Sequence, residues 1–151
     1  MKDLQNKIQS ATLGDLGDLE RLIKICDTYK TPDKIRWDID LLTMFFNDKN
    51  AKILVYKQAS VVGCVIARYN DDYSKLHIHN IFVDPSYQNS GIGTALINTL
   101  INDANIHGTD YICTLNSHAN KYFEKLSFFK GKIYLWRKLA PFDCQKHNNM
   151  I

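Results

Sequence analysis

Apolar and polar positions along the chain change period several times, and each change marks an element. Lys7–Thr12 reads as a short strand. Thr12 then serves as a helix N-cap, with Asp15 three residues on, near the positive helix end. Leu16, Leu19, Leu22, Ile23 and Cys26 follow at helical spacing. Thr31-Pro32-Asp33 opens a second helix, since proline suits a first turn, and Ile35, Ile39, Leu42, Phe45 and Phe46 form its apolar stripe. Ala51–Lys57 and Val61–Tyr69 are Val-, Ile- and Tyr-rich and flank Gln58-Ala59-Ser60, a hairpin signature. Asn70-Asp71-Asp72 turns the chain into a third strand, Lys75–Val83, which Asp84-Pro85 stops. After the loop Ser86–Gly91 comes a long helix with Ile92, Ala95, Leu96, Leu100 and Ala104 on its buried side and Gly108 at its C-terminal end. Tyr111–Leu115 is a strand, Ala119–Leu126 a short helix and Lys132–Leu139 a final strand. The order β-α-α-β-β-β-α-β-α-β predicts an α/β fold: a mixed central sheet with helices on both faces. The step from the Lys75 strand through the long helix to the Tyr111 strand is a βαβ unit, so those two strands should run parallel.

With 151 residues, this is the length of one domain, 1–140, with a polar tail at 141–151. The composition, 45% hydrophobic and 23% charged, excludes a disordered or collagen-like chain. A net charge of +3 is too mild for the concentrated basic face that nucleic acid requires, yet permits a local anion site. No apolar run is long enough to span a membrane, and Met1–Ser10 has no signal-peptide core. Cys26, Cys64, Cys113 and Cys144 form no CxxC pair and read as reduced, mostly buried thiols of a cytoplasmic protein. No metal site is expected from them or from the histidines.

The most informative segment is Val83-Asp84-Pro85-Ser86-Tyr87-Gln88-Asn89-Ser90-Gly91-Ile92-Gly93-Thr94. A strand ends, a small-residue loop follows and a helix begins. The first N–H groups of a helix have no partners within it, and the helix dipole adds positive character there. A phosphate or pyrophosphate suits such a site. Gly91 and Gly93 clear the backbone, while Ser90 and Thr94 offer hydroxyls. A dinucleotide fingerprint would place a third glycine where Leu96 stands, and a phosphate-binding G-K-[ST] is absent. Two glycines alone also fit a tight turn with close helix–sheet packing.

The longer string Gln88-Asn89-Ser90-Gly91-Ile92-Gly93 resembles the Q/R-x-x-G-x-G/A acetyl-coenzyme A signature of the GCN5-related N-acetyltransferases (GNAT). Ile81-Phe82-Val83-Asp84-Pro85 is similar to that family's entry into the loop. Asn116-Ser117-His118-Ala119 followed by Phe123-Glu124-Lys125-Leu126-Ser127-Phe128 is similar to its N-x-x-A…Y-E-K-L-G-F segment. The resemblance covers about residues 7–139. It implies an acyl-CoA N-acyltransferase fold, with backbone N–H groups across Gln88–Thr94, including Ser90 and Ile92, holding the pyrophosphate of acetyl-CoA. It implies that the main chain of Ile81–Val83 pairs with the pantetheine arm, a Phe82 or Val83 N–H polarising the thioester, and that Asn116 and the following helix flank the arm. Phe123 stands where the family has its proton-donating Tyr, with Tyr122 one residue earlier, a turn of ~100° away. Phe123 is expected against the sheet or the cofactor arm. Ser127 replaces the family's usual Gly.

His77 and His79 are two apart in a strand and share one face unless a bulge intervenes. Imidazole is a suitable base for an ammonium acceptor, directly or through water. In position the pair is similar to the paired histidines of arylalkylamine N-acetyltransferase. Phe45, Phe46, Phe128 and Phe129 read as core, Tyr29 and Trp37 as one wall of the acceptor groove, and Trp136-Arg137-Lys138 as a solvated edge. The expectation is direct acetyl transfer from acetyl-CoA, as cosubstrate, to a primary amine of a small molecule or peptide, by a monomer or homodimer. His77, His79 and Tyr122 are its candidate catalytic residues. The alternative is a noncatalytic acyl-CoA-binding regulatory module of the same fold.

Overall fold

The structure, a computed structural model, describes residues 4, 6–26, 36–115, 120–131 and 134–139. In chain order they form β1 (Ile8–Ser10), α1 (Leu16–Cys26), α2 (Ile39–Phe46), β2 (Ala51–Lys57), β3 (Val61–Tyr69), β4 (Lys75–Val83), α3 (Ile92–Ile106), β5 (Tyr111–Leu115), α4 (Asn120–Lys125), β6 (Phe129–Lys130) and β7 (Tyr134–Lys138). The strands make one seven-stranded sheet in the order β1-β2-β3-β4-β5-β7-β6. Only β4 and β5 run parallel, as the βαβ step requires.

Two apolar layers cover the sheet. Under α3 and α4 lie Val65, Leu76, Ile78, Leu96, Leu100, Ile112, Phe123 and Leu135. Under α1 and α2 lie Leu19, Leu22, Trp37, Leu42, Val55, Ile66 and Phe82. Gly63 lets α3 come down on β3: a Cβ there would lie 2.8 Å from Ile92 Cγ2 and 3.3 Å from a Leu96 methyl.

A β-bulge in β4 controls which residues face which layer. Ile66 pairs with Asn80 but Ala67 with Ile78, so His79 is the extra residue. Before the bulge Leu76 and Ile78 face α3; after it the phase is reset, and Ile81 and Val83 pack against that same layer. Phe82 falls in the opposite one.

The differences from the sequence-based expectations are local. Thr12 precedes a short 3₁₀ turn, Leu13–Asp15, that runs into α1, and its N–H donates to Asp15 Oδ2 at 2.8 Å. The expected start of the second helix at Thr31 lies outside the described residues; the helix seen begins at Ile39, where the Asp38 carboxylate accepts from the Leu41 N–H. The two-residue strand β6 is too short to show a period and was not foreseen. Phe129, expected in the core, is 74% exposed on that edge strand. Its neighbour Phe128 is buried because the end of α4 closes with paired bonds, Phe128 N–H to Phe123 O and Ser127 N–H to Glu124 O. That closure puts Ser127 at φ 71°, the left-handed region where the resembled family has glycine.

Two stability predictions follow from these positions. Gly63→Ala should cost about 1–3 kcal/mol, because the branched Ile92 side chain cannot simply swing aside. Ser127→Gly should instead stabilise the fold, by about 1 kcal/mol, since it removes the left-handed cost to an L-residue. Urea unfolding midpoints measure both, and opposite signs are expected.

Candidate active site

The N-terminus of α3 and the free edge of β4 face each other across a cleft of about 610 Å³. Gly91 is the N-cap, in the left-handed region at φ 87°, and Asn89 two residues before it sits at φ 63°. The first bond of the helix is Ala95 N–H to Gly91 O, 2.9 Å, so the N–H groups of Ile92, Gly93 and Thr94 precede the helical ladder. Gln88, Asn89, Gly91, Ile92, Gly93 and Thr94 line the cleft on this side, and Ile81 and Val83 line it from β4. Space at Gly93 is close: a Cβ would press on the Tyr122 hydroxyl at 3.1 Å and touch the Ile81 and Val83 side chains at ordinary contact, 3.6 and 3.7 Å. Ser90 is turned away, its hydroxyl donating to the Tyr87 carbonyl. Tyr87 lines the cleft and was missed from sequence, where a loop aromatic carries no periodic signal.

The backbone of β4 explains why its edge is available. The parallel ladder with β5 runs from Lys75↔Tyr111 to Ile78↔Thr114 and, among the described residues, goes no further. The Asp84 N–H donates to Val62 O at 2.9 Å, across to β3. Strand alternation therefore turns the N–H groups of Ile81 and Val83 the other way, toward the cleft, and that of Phe82 toward β3. The Phe82 N–H is thus not the one offered to a ligand, and its ring is buried under α1 and α2. The Val83 carbonyl is engaged by Cys26 Sγ and Gln88 Nε2, both at 3.4 Å.

From α4, Tyr122 reaches the cleft and Phe123 does not. The Tyr122 hydroxyl stands 3.4 Å from Thr94 Oγ1. Burial raises its pKa, offset in part by Thr94, so the phenol keeps its proton at neutral pH. Phe123 is 3% exposed, edge-on to Phe128 in the core, and does not line the cleft. The one-residue offset puts the hydroxyl-bearing ring on the cleft side. Asn116, Ser117, His118 and Tyr29 lie outside the described residues, as does the tail with Cys144.

His77 and His79 lie on the α1–α2 side of the sheet, on the strand whose later residues Ile81 and Val83 line the cleft. Despite the bulge their rings stay together, centroids 4.4 Å apart. His79 is held edge-on by Trp37 (5.8 Å) and Phe45 (5.4 Å), and Trp37 Nε1 donates to Asn80 Oδ1 at 2.7 Å. His77 meets the Tyr134 ring at 5.5 Å, with Cys113 Sγ 3.7 Å from its Nδ1. Trp37 is 1% exposed, a buried support for His79 rather than an open wall. Burial lowers the pKa of His77. Burial, then the charges of His77 and Arg68, lower that of His79 to about 4. Both rings are neutral at pH 7 and can accept a proton. Among the described residues no three His, Cys, Asp or Glu side chains gather as a metal site, and no helix is long and apolar enough to cross a membrane.

A mixed sheet with one parallel pair that parts at its end, a helix N-terminus aimed into the opening and, opposite it, a strand edge unpaired among the described residues define an acyl-CoA N-acyltransferase architecture. The chain belongs to the acetyltransferase (GNAT) family, which matches it over residues 18–128. It is an acyltransferase of the acetyl-CoA-dependent class. A comparison with curated protein sequences finds no significant match. Among solved structures it is similar to the ribosomal-protein-S18-alanine N-acetyltransferase of Escherichia coli, with TM-score 0.74, 18% identity, and coverage of 88% of this chain and 93% of that one. It is also similar to the aminoglycoside 6'-N-acetyltransferase of Enterococcus faecium, with TM-score 0.74, 14% identity and coverage of 90% and 98%. An aminoglycoside 6'-N-acetyltransferase complexed with coenzyme A gives TM-score 0.75 at 15% identity, covering 90% and 98%.

The lowered His79 pKa has a consequence for stability. Between about pH 6.5 and 4 the unfolded chain binds a proton at His79 that the folded chain refuses, so stability falls as pH is lowered through that window. His79→Gln should flatten this part of the profile, as read from urea midpoints at pH 7, 6, 5 and 4.5; an identical slope in both proteins would contradict the burial of a neutral ring.

Proposed function

We propose that the protein transfers the acetyl group of acetyl-CoA directly to a primary amine in a ternary complex. The observation that carries this reading is the cleft itself, where unladdered N–H groups of α3 stand opposite the N–H groups of Ile81 and Val83, which have no partner among the described residues. The pyrophosphate fits the Gln88–Thr94 side, where charge-assisted bonds to N–H groups contribute roughly 1.5–3 kcal/mol each. The pantetheine arm continues along β4 in place of a neighbouring strand, with one of the Ile81 and Val83 N–H groups donating to it and the other left for the thioester oxygen. The acetyl group then lies near the point where β4 and β5 part, beside the histidines.

In the transfer, an imidazole of His77 or His79, directly or through one water, takes a proton from the ammonium acceptor. The free amine attacks the thioester carbon, and a C–N bond forms. The oxyanion is held by a β4 N–H of Ile81 or Val83. As the intermediate collapses the C–S bond breaks and the Tyr122 O–H protonates the departing thiolate, which ends as the coenzyme A thiol, while the second proton shed by the nitrogen as the amide forms returns through water to the Tyr122 oxygen. Tyr122 suits this role because burial keeps it protonated. Since both imidazole pKa values are depressed, the histidine limb of the pH–rate profile should lie below pH 6.5, and any rise above pH 7 belongs to the acceptor amine.

The test is release of free thiol from acetyl-CoA with a panel of amines. His77→Ala combined with His79→Ala should lower kcat at least tenfold and remove the acid limb, with acetyl-CoA affinity little changed. Binding without turnover, indifferent to that double change, would instead support the regulatory module. For the cofactor site, Gly91→Asp should weaken acetyl-CoA binding at least tenfold beyond Gly91→Asn, as measured by calorimetry. Both side chains tolerate the left-handed N-cap, but only Asp brings a negative charge toward the pyrophosphate. Equal affinities would move the pyrophosphate elsewhere.

A further inference from the structure

The sheet carries no carboxylate: none of the seven strands contains an Asp or Glu, while they hold Lys52, Lys57, Arg68, Lys75, Lys130, Arg137 and Lys138. Strand register sorts these by face. Arg68 pairs with His77, His77 with Cys113, Cys113 with Trp136 and Trp136 with Phe129, one row across five strands on the α1–α2 side. The next row on that face is Lys75, Tyr111 and Lys138. The histidines therefore sit with a guanidinium one strand away and aromatic rings two strands away. Tyr134 touches His77 edge-on and stands 5.8 Å from Trp136, over which Lys75 Nζ lies at 5.7 Å.

Arg68 is fixed in place and only partly used. Its Nε bonds Asp48 Oδ2 at 2.5 Å and its Nη1 bonds the Tyr69 carbonyl at 3.2 Å. Among the described residues nothing takes the hydrogens of Nη2, and the side chain is 39% exposed. Its charge is felt at His79. Carboxylates on the flanking elements are mostly engaged. Among the described residues Asp48 is held by Arg68, Asp38 and Asp84 accept backbone N–H groups at helical turns, and Asp18 and Glu20 on α1 pair with Arg21 and Lys24, while Asp40 is exposed on α2. A polycationic acceptor would find cations where it needs acids. A molecule whose amine lies beside a carboxylate finds a base and a pre-set guanidinium on residues that pair across adjacent strands, whose backbones lie one strand spacing, ~5 Å, apart.

We infer that the acceptor is a free α-amino acid with an aromatic or apolar side chain, its carboxylate bound by Arg68, its amine presented to His77 and His79, and its side chain laid on Tyr134 and Trp136. This rests on the transferase reading above and narrows it to one class of amine. The aromatic rings supply the apolar floor, and Arg68 supplies the discrimination.

Four acceptors test it with acetyl-CoA, read by thiol release: phenylalanine, phenethylamine, the amide of the dipeptide Phe-Gly, and spermidine. Phenylalanine should exceed each of the others at least tenfold in kcat/KM. Arg68→Met should raise KM for phenylalanine at least tenfold and leave KM for phenethylamine unchanged, a split that a general loss of structure would not produce. If that variant fails to fold, the ratios of the unaltered protein decide. Phenethylamine, the dipeptide amide or spermidine matching or beating phenylalanine overturns the inference and leaves the transferase reading standing. No thiol release from any of the four, with acetyl-CoA still bound in calorimetry, overturns both.

Discussion

Past Ile78 the fourth strand is laddered, among the described residues, on one edge only, and much of the site follows from that. A backbone N–H left without a partner in a partly buried place costs free energy unless a ligand or water takes it. Here Ile81 and Val83 present such groups to a cleft, while the other edge of β4 stays bound to β3 through Val83. The bulge at His79 is what makes this edge usable. Without the extra residue, Ile81 and Val83 would point under α1 and α2, and Phe82 would fill the space before α3.

The same bulge places two kinds of chemistry on opposite sides of one strand. On the α3 side are small residues and peptide N–H groups suited to an anion and an extended arm. On the α1–α2 side are aromatic rings packed around two neutral imidazoles. On the proposed reading, donor and acceptor approach from different faces and meet where the parallel strands part. Each imidazole is held by rings rather than by a carboxylate, which is why its pKa falls instead of rising.

Most of the fold was legible because its elements are strongly periodic. The hairpin Ala51–Tyr69, the βαβ step and the helix stripe through Leu96 and Leu100 each carry a period that local physics reads. The loop from Gln88 to Thr94 was legible for another reason: glycines before an apolar stripe announce a helix start with an exposed backbone. What could not be read depends on register. The pairing of Arg68 with His77 and of Cys113 with Trp136 appears only once strands are aligned. Nor could the burial of Phe123 and the exposure of Tyr122 to the cleft be ranked from sequence, since that needs the azimuth of a short helix. Phe129 was misjudged because a two-residue edge strand offers hydrophobicity without a period.

The cysteines shape how this chemistry can be watched. Burial drives the Cys26 and Cys113 thiols up to about 11 and Cys64 higher still, with Cys26 also donating to the Val83 carbonyl and repelled by Asp84. At pH 8 a group with a pKa of 11 is ionised about one part in a thousand, and only the thiolate attacks a disulfide reagent. These three sulfurs are therefore nearly dark to a colorimetric disulfide reagent on the timescale of turnover, whereas a released pantetheine thiol in free solution is bright. The three described cysteines add little background of their own.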